Sequence, residues 1–361
     1  MSTEYLEPRY AINGYFLTQR VSGIQRYAIE ILTELDRLVG PDEVELVVPL
    51  GVCAPAFDNV QVVAYGEINT PGGWEQGAYA RYLAQTGRKW LCLCNVIPLA
   101  APKRTAGIAV VHDVCYRARP DFYTDLRGRA SALWHRLQYR VIAKRAAEIV
   151  TVSEFSKSEI TRYYDVEPDR ITVIPNAWQQ MERVRTTEGI FEEPTKWPQL
   201  RKGEYYFSMA NLLKNKNFPW VLRAAQRKPD AIFAIAGSGS LEAEAKRLGL
   251  DALPNVVYLG YVSDSEAKAL MKYCKAFLFP TLYEGFGIPP LEAIACGAPR
   301  ILVSDTPCMR EVYGDCADYI DLTRNVGDVD DVREGKGPSG LLERYSWQKS
   351  AAQLAELIRR P

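Results

Sequence analysis

Glu284 and Glu292 stand eight positions apart in the run FLFPTLYEGFGIPPLEAIACGAPRILVSD, residues 277–305, with Gly285, Phe286, Gly287 and Ile288 between them. The apolar stretch 276–279 predicts a buried strand and the two glycines a tight loop. A helix that begins near Pro290 and stops at Gly297 follows, then a second strand over 301–303. Strand, glycine loop and helix start together suit a phosphorylated ligand. Glycine lets the backbone approach, and N–H groups of residues 285–291 face the anion. Placing Pro290 at the first helical position, where a missing N–H costs nothing, puts Glu292 near N3. There it is either a plain helix-start carboxylate in the helix dipole or an arm reaching a sugar hydroxyl beside the anion. A hydrolytic acid–base pair would need its carboxyls roughly 5–9.5 Å apart. Eight helical residues span about 12 Å, so the spacing favours two hydroxyl-reading arms.

Other residues with chemistry to offer follow apolar runs in the same way. Lys216, in LLKNKNFPW, precedes a helix opening at Phe218 and suits a diphosphate as a point charge; Lys214 is the alternative, and Asn211 lies in the same loop. An exposed loop lysine is the plain reading. Gly237 and Gly239 also precede a helix, but Glu242 stands where a dinucleotide fingerprint wants its third glycine. Gly23, in TQRVSGIQRY, marks a helix start, as a cap or for close backbone approach to phosphate, with Arg26 nearby. His112 and Asp113 follow IAVV, Ser153 follows IVTV and Asn176 follows TVIP. A lone histidine is more often structural, yet one at a strand's carboxyl end beside an aspartate is a candidate for the site.

The elements that must position these residues alternate in type. Strands are expected over 10–12, 44–48, 60–64, 90–93, 108–111, 149–152 and 171–174, then over 205–209, 232–236, 256–259, 276–279 and 301–303. Helices are expected over 23–39, 126–147, 157–164, 218–226, 241–248, 264–273 and 347–358. Such alternation predicts parallel sheets covered on both faces. The polar, proline-punctuated segment QQMERVRTTEGIFEEPTKWPQLR, 179–201, is the expected linker between two Rossmann-like halves, 1–178 and 202–344, whose facing sheets would enclose a binding cleft.

Composition narrows the classes. The chain has 361 residues, 47% hydrophobic and 24% charged, with a formal net charge of zero, so a general affinity for nucleic acid is not expected. No apolar run reaches the roughly 18–20 residues that cross a bilayer, and MSTEYLEPRY does not read as a secretory signal. Eight scattered cysteines form no CxxC pair, and there are two histidines. Free thiols in a reducing cytosol and no metal site are the expectation.

Taken in order, the motifs TQRVSGIQRYA, HDV, VTVSEFSKSEI, VIPNAW, NLLKNKNFPWVLRA, IAGSGSLEAEA and EGFGIPPLEAIACGAPRILVSD resemble the retaining glycosyltransferases of family 4 along most of residues 10–320. The resemblance implies an α/β GT-B fold of two Rossmann-like domains, with a last helix, in 345–361, that returns to the first. Glu284 resembles the first glutamate of the family's Glu-x7-Glu motif, at the donor sugar, and Glu292 the second, at the ribose. The backbone at Gly285, Phe286, Gly287 and Ile288 resembles the sugar-diphosphate contact. Lys216 resembles the diphosphate lysine, Gly23 the loop glycine near the phosphates, and His112 the histidine beside the reacting sugar. Asn211 stands where many members have arginine, so charge on the leaving group falls to Lys216 with Lys214 or Arg26. Gly237, Asp113 and Ser153 complete the candidate set.

The implied reaction carries a hexosyl unit from a nucleoside-diphosphate sugar, GDP-mannose foremost, to a hydroxyl of a glycan or lipid-linked acceptor in surface polysaccharide synthesis, without a divalent metal or other cofactor. A GT-B sugar-nucleotide epimerase, an NAD-dependent dehydrogenase and a non-catalytic sugar-nucleotide module are the competing readings. The helical stretch 126–147 sets Arg129, Arg136, Arg140 and Lys144 on one stripe beside Trp134, Leu137 and Val141. It is a solvated face or a peripheral contact with the anionic inner face of a cell membrane.

Overall fold

A computed structural model describes residues 9–41, 43–68, 70, 72–192, 196–211, 213–237, 241–250, 253–337 and 339–360. The chain divides into two compact units, Met1–Asn176 with Trp347–Pro361, and Ala177–Ser346. In the first, β1 (Tyr10–Asn13), β2 (Val44–Val48), β3 (Gln61–Ala64), β4 (Lys89–Cys92), β5 (Ile108–Val110), β6 (Glu148–Thr151) and β7 (Ile171–Val173) form one sheet in the order β3-β2-β1-β4-β5-β6-β7. In the second, β8 (Tyr205–Met209), β9 (Ile232–Ala236), β10 (Val256–Gly260), β11 (Ala276–Phe279), β12 (Ile301–Ser304) and β13 (Asp318–Ile320) lie in the order β10-β9-β8-β11-β12-β13. Every pairing between these strands is parallel.

The central strands are apolar along their length because both faces are covered. All four residues of β1 and of β11 are buried, the pattern of a parallel sheet clad in helices. In the first unit Val47, Trp90, Ala109 and Ile149 meet Trp74, Leu83, Tyr139 and Ile142 in one core. In the second, Tyr206, Phe233, Ile235 and Leu278 meet Phe218, Val221 and Leu222. The terminal helix Trp347–Arg359 belongs to the first unit. Trp347 lies edge-on to Tyr27, with ring centroids 5.9 Å apart, and Ser350 Oγ donates to Pro175 O at 2.7 Å.

Three features depart from the sequence reading. Strand β13 is only three residues of DYI, too short for an alternation signal. The helices Ala80–Thr86 and Pro307–Tyr313 were not anticipated, nor was the π-helical turn Glu75–Tyr79 before the first of them. The stretch 179–201 folds within the second unit. Lys268 Nζ reaches Met181 O at 2.6 Å and Val184 O at 2.8 Å, and Lys202 pairs with Glu188 at 2.9 Å. Its backbone carbonyls and the Glu188 carboxylate therefore accept from lysines of the same unit rather than from water alone.

Candidate functional site

Where the strand order of a parallel sheet reverses, the crossovers leave in opposite directions. The loops at the carboxyl ends of the two strands then part and leave a crevice. In the second sheet this point lies between β8 and β11. Asparagines flanking Lys216 sew the two loops together. Leu282 N–H donates to Asn215 O at 2.7 Å, Asn215 Nδ2 to Tyr283 O at 3.3 Å, and Asn217 Nδ2 to Pro280 O at 3.0 Å. Asn217 does so in a left-handed conformation, φ +54°, while opening the helix Phe218–Arg227. Strain of this kind in a non-glycine residue persists only where its surroundings enforce it.

The consequence is a fixed cation–carboxylate pair. Lys216 Nζ lies 2.5 Å from Glu284 Oε1, and Thr281 Oγ1 donates to the same oxygen at 2.7 Å. Both bonds use Oε1. Thr281 and Asn215 carry no distinguishing signal in the sequence beyond the asparagines in KNKN.

The helix Ile288–Ala295 follows at once, and its register corrects the sequence reading. Gly287 is the N-cap, so Ile288 is N1, Pro289 and Pro290 are N2 and N3, and Glu292 lies in the second turn rather than at N3. The physical reason is Gly287. It adopts φ +82°, and a Cβ there would sit 2.7 Å from Met309 Cε. Only glycine turns the chain so tightly, and both prolines then fall where a helix lacks N–H partners anyway. The Tyr313 hydroxyl donates to Gly287 O and takes the Leu291 N–H, locking this turn from below. The prolines carry no N–H, so the stretch 285–291 offers an anion fewer donors than the sequence suggests. Phe286 offers its backbone because its side chain is buried, edge-on to Tyr345 with centroids 5.1 Å apart. Glu292 Oε1 accepts Gln180 Nε2 at 2.7 Å. Gln180 comes from the stretch read as a linker, which is why sequence reasoning missed it.

The remaining second-unit candidates border this crevice. Asn211 and Lys214 are exposed in the loop after β8. Gly237, after β9, adopts φ +151°, and a Cβ there would fall 1.8 Å from Ala210 O, so its turn lies directly on the β8 loop. Gly239 and the side chain of Glu242 lie outside the described residues.

In the first unit His112, Asp113 and Ser153 sit at the carboxyl ends of β5 and β6. The Ser153 side chain caps the helix Glu154–Tyr164 by accepting Ser156 N–H at 3.0 Å, and Ser156 Oγ donates to His112 O at 3.1 Å. Asp113 Oδ1 accepts Cys115 N–H at 2.8 Å. Gly23 is N1 of the helix Gly23–Asp36, whose N-cap is Ser22 rather than Gly23, and Arg26 lies one residue beyond the first turn. His112 is buried, edge-on to Tyr27 at 4.8 Å, and its Nε2 lies 2.9 Å from Leu93 O. A carbonyl only accepts, so Nε2 carries the proton and Nδ1 is the acceptor. Burial lowers the imidazole pKa to about 4, and the ring is neutral at pH 7. Nitrogen-detected NMR at pH 6, below the ordinary histidine pKa, is expected to find His112 still neutral and protonated on Nε2; a doubly protonated ring at that pH contradicts the assignment.

Among the described residues no group of three histidine, cysteine, aspartate or glutamate side chains is arranged to hold a metal ion. No described helix is long and apolar enough to cross a membrane.

The chain is similar to known proteins. A family model described as Glycosyltransferase Family 4 matches residues 21–178, and one described as Glycosyl transferases group 1 matches residues 190–326. The O-antigen chain mannosyltransferase RfbU of Salmonella typhimurium is 26% identical over 323 residues, 83% of each chain. The O-antigen chain mannosyltransferase B of Escherichia coli is 27% identical over 57% of this chain and 58% of its own. Anabaena HepE, solved with UDP and glucose, superposes with a TM-score of 0.68 at 14% identity, covering 98% of this chain and all of its own. The two family matches between them take in most of both units, and the chain belongs to the family 4 glycosyltransferases of GT-B fold.

Proposed function

We propose that this transferase moves a hexosyl unit from a nucleoside-diphosphate sugar, GDP-mannose first among donors, to a hydroxyl of a glycan or lipid-linked acceptor in surface polysaccharide synthesis, with retention of anomeric configuration. The observation that carries the proposal is the Lys216–Glu284 pair beside the Gly287 helix start at the β8/β11 crevice. Support for mannose comes from the named relatives, both O-antigen mannosyltransferases. The family matches favour transfer over the epimerase and dehydrogenase alternatives.

Each residue then has a task. Lys216 meets the diphosphate as a point charge, with the N–H groups of Phe286, Gly287 and Ile288 beside it. Such preorganised groups act most strongly on the charge that develops as the leaving group departs. Glu284 Oε2 reads a donor-sugar hydroxyl and Glu292 a ribose hydroxyl. Asn211, Lys214 and Gly237 line the donor side. In the step itself the acceptor oxygen bonds to the anomeric carbon as its bond to the phosphate oxygen breaks. The acceptor proton passes to that leaving oxygen, so no protein base is required. His112, neutral, offers Nδ1 as a hydrogen-bond acceptor, and Asp113 and Ser153 hold its loop. With Lys216 as the resident cation, no divalent metal takes part in this scheme.

A thermal-shift panel of GDP-, UDP-, dTDP- and ADP-sugars tests the donor, because binding stabilises the folded chain in proportion to affinity. GDP-mannose is expected to give the largest shift, and transfer to survive EDTA. Lys216→Ala is expected to lower kcat/KM by about a hundred- to a thousandfold, as removal of a charge-stabilising donor does. Turnover without acceptor would favour the epimerase alternative, and a trapped glycosyl adduct on a side chain would contradict retention by this route.

We also propose that the helix Leu126–Arg145 rests on an anionic membrane. It holds six basic and no acidic residues. Two of them turn inward, Arg136 Nε to Tyr116 O at 2.7 Å and Arg145 to Leu99 O and Ala101 O, so Arg136 leaves the stripe drawn from the sequence. Arg127, Arg129, Arg140 and Lys144 remain outward among Leu126, Leu133, Trp134 and Leu137, which are 87%, 71%, 37% and 46% exposed. Apolar side chains interleaved with cations match the interface of acidic lipids. Each such cation contributes about 1 kcal/mol near an anionic surface. Arg140→Glu with Lys144→Glu is therefore expected to cut sedimentation with phosphatidylserine vesicles at least about tenfold; unchanged sedimentation removes the proposal.

A further inference from the structure

The first sheet has its own reversal of strand order, between β1 and β4. At the carboxyl ends of these two strands lies a cavity of about 160 Å³, lined by Asn13, Gln25, Glu75, Cys94, Asn95 and His135 among others. None of the roles assigned above uses it.

Glu75 is the unusual group here. It is 8% exposed, and among the described residues Asn13 alone hydrogen-bonds its carboxyl, Nδ2 to Oε1 at 2.7 Å. Desolvation raises its pKa to about 7. A buried acid with one partner costs stability, and a neutral amide of the same size would fit with less penalty. Such groups persist where a ligand needs them. The backbone is built around it. Glu75 opens the π-helical turn Glu75–Tyr79, and Asn95 stands at φ +62° with its Oδ1 taken by His112 N–H at 2.8 Å. π-turns and left-handed non-glycine residues gather at functional sites. The turn is clamped from two sides. Tyr79 Oη donates to Ala11 O at 2.7 Å in β1, while Gln76 donates to Ile97 O at 3.0 Å and accepts Leu99 N–H at 2.9 Å beyond β4. The carboxyl is therefore held in place rather than folded away.

The lining also states what chemistry fits. No lysine or arginine lines the cavity, which argues against a phosphate. Glu75 presents carboxylate oxygen. His135, also in the lining, gives its Nδ1 proton to Ser131 O at 2.9 Å, which leaves Nε2 the acceptor of the ring. Tyr15 and Phe16 also line it. Hydrogen-bond acceptors beside aromatic rings suit a neutral ligand rich in hydroxyl donors.

We propose that this cavity is the acceptor subsite, in which Glu75, oriented by Asn13, accepts a hydrogen bond from a hydroxyl of the acceptor's sugar unit and so sets which acceptor is used. The proposal rests on the transferase reading and adds a specificity residue to it.

The test uses the full chain and saturation-transfer NMR with methyl α-mannopyranoside, methyl α-glucopyranoside and methyl α-galactopyranoside, alongside titration of GDP-mannose. At least one glycoside is expected to bind the wild type. Glu75→Gln is expected to bind it at least tenfold more weakly, keep GDP-mannose affinity within twofold, and melt no lower than wild type. Glu75→Asp, which withdraws the acid by one methylene, carries the same binding expectation if the glutamine variant does not fold. Equal glycoside binding in the variants, a loss of GDP-mannose affinity instead, or no glycoside bound by the wild type overturns the proposal. Glycoside binding with no nucleotide-sugar binding would instead count against the donor reading and leave the cavity assignment standing.

Discussion

The structure depends on one constraint, the divergence of crossovers where a parallel sheet reverses its strand order. Right-handed connections send successive helices to opposite faces on either side of that point. The loops at the carboxyl ends are thereby pushed apart, and what they carry faces open space. The condition is met twice, at β1/β4 and at β8/β11. At the second stand Lys216 and Glu284, at the first Asn13, Asn95 and Glu75. Strands buried on both faces hold each pair of loops rigid, so the loop residues need not contribute to stability.

That freedom shows in the groups placed there. Asn217 and Asn95 hold left-handed backbone, and Gly287 and Gly237 turn where a Cβ would strike a neighbour. Glu75 and His112 are both buried, and burial pushes their pKa values in opposite directions, up to about 7 and down to about 4. The cause is shared, since low-dielectric surroundings disfavour the charged form of either. The outcomes differ. His112 becomes a neutral hydrogen-bonding ring, whereas Glu75 sits near the point where it can be either acid or carboxylate. At the other crevice Lys216 and Glu284 meet as opposite charges, and Thr281 donates to the same carboxylate oxygen.

Much of this was legible in the sequence. The apolar runs gave twelve of the thirteen strands, because parallel strands buried on both faces cannot hide their composition. β13 escaped because three residues make no pattern. Glu284, Lys216 and the Gly287 turn were visible, since glycine, lysine and carboxylate at strand ends have few other reasons to coincide. The helix register was misread by two residues. Two consecutive prolines look like a start, but the left-handed Gly287 begins the helix one residue before them. Gln180 was hidden in a polar stretch that reads as linker, and Arg136 lies on the same stripe as Arg129 and Arg140, yet its side chain turns to Tyr116 O. Glu75 left no trace at all. Its neighbours in the chain have no site-like pattern, and only the fold brings it to Asn13 and Asn95.

The central claim is that Lys216, fixed by the two stitched loops, holds the second phosphate of the donor. Its most direct test is calorimetric titration of guanosine diphosphate and guanosine monophosphate into the wild type and Lys216→Ala. The expected result is a diphosphate preference of at least tenfold in the wild type that collapses to near parity in the variant, with monophosphate affinity unchanged. A preference that survives intact without Lys216 would contradict it.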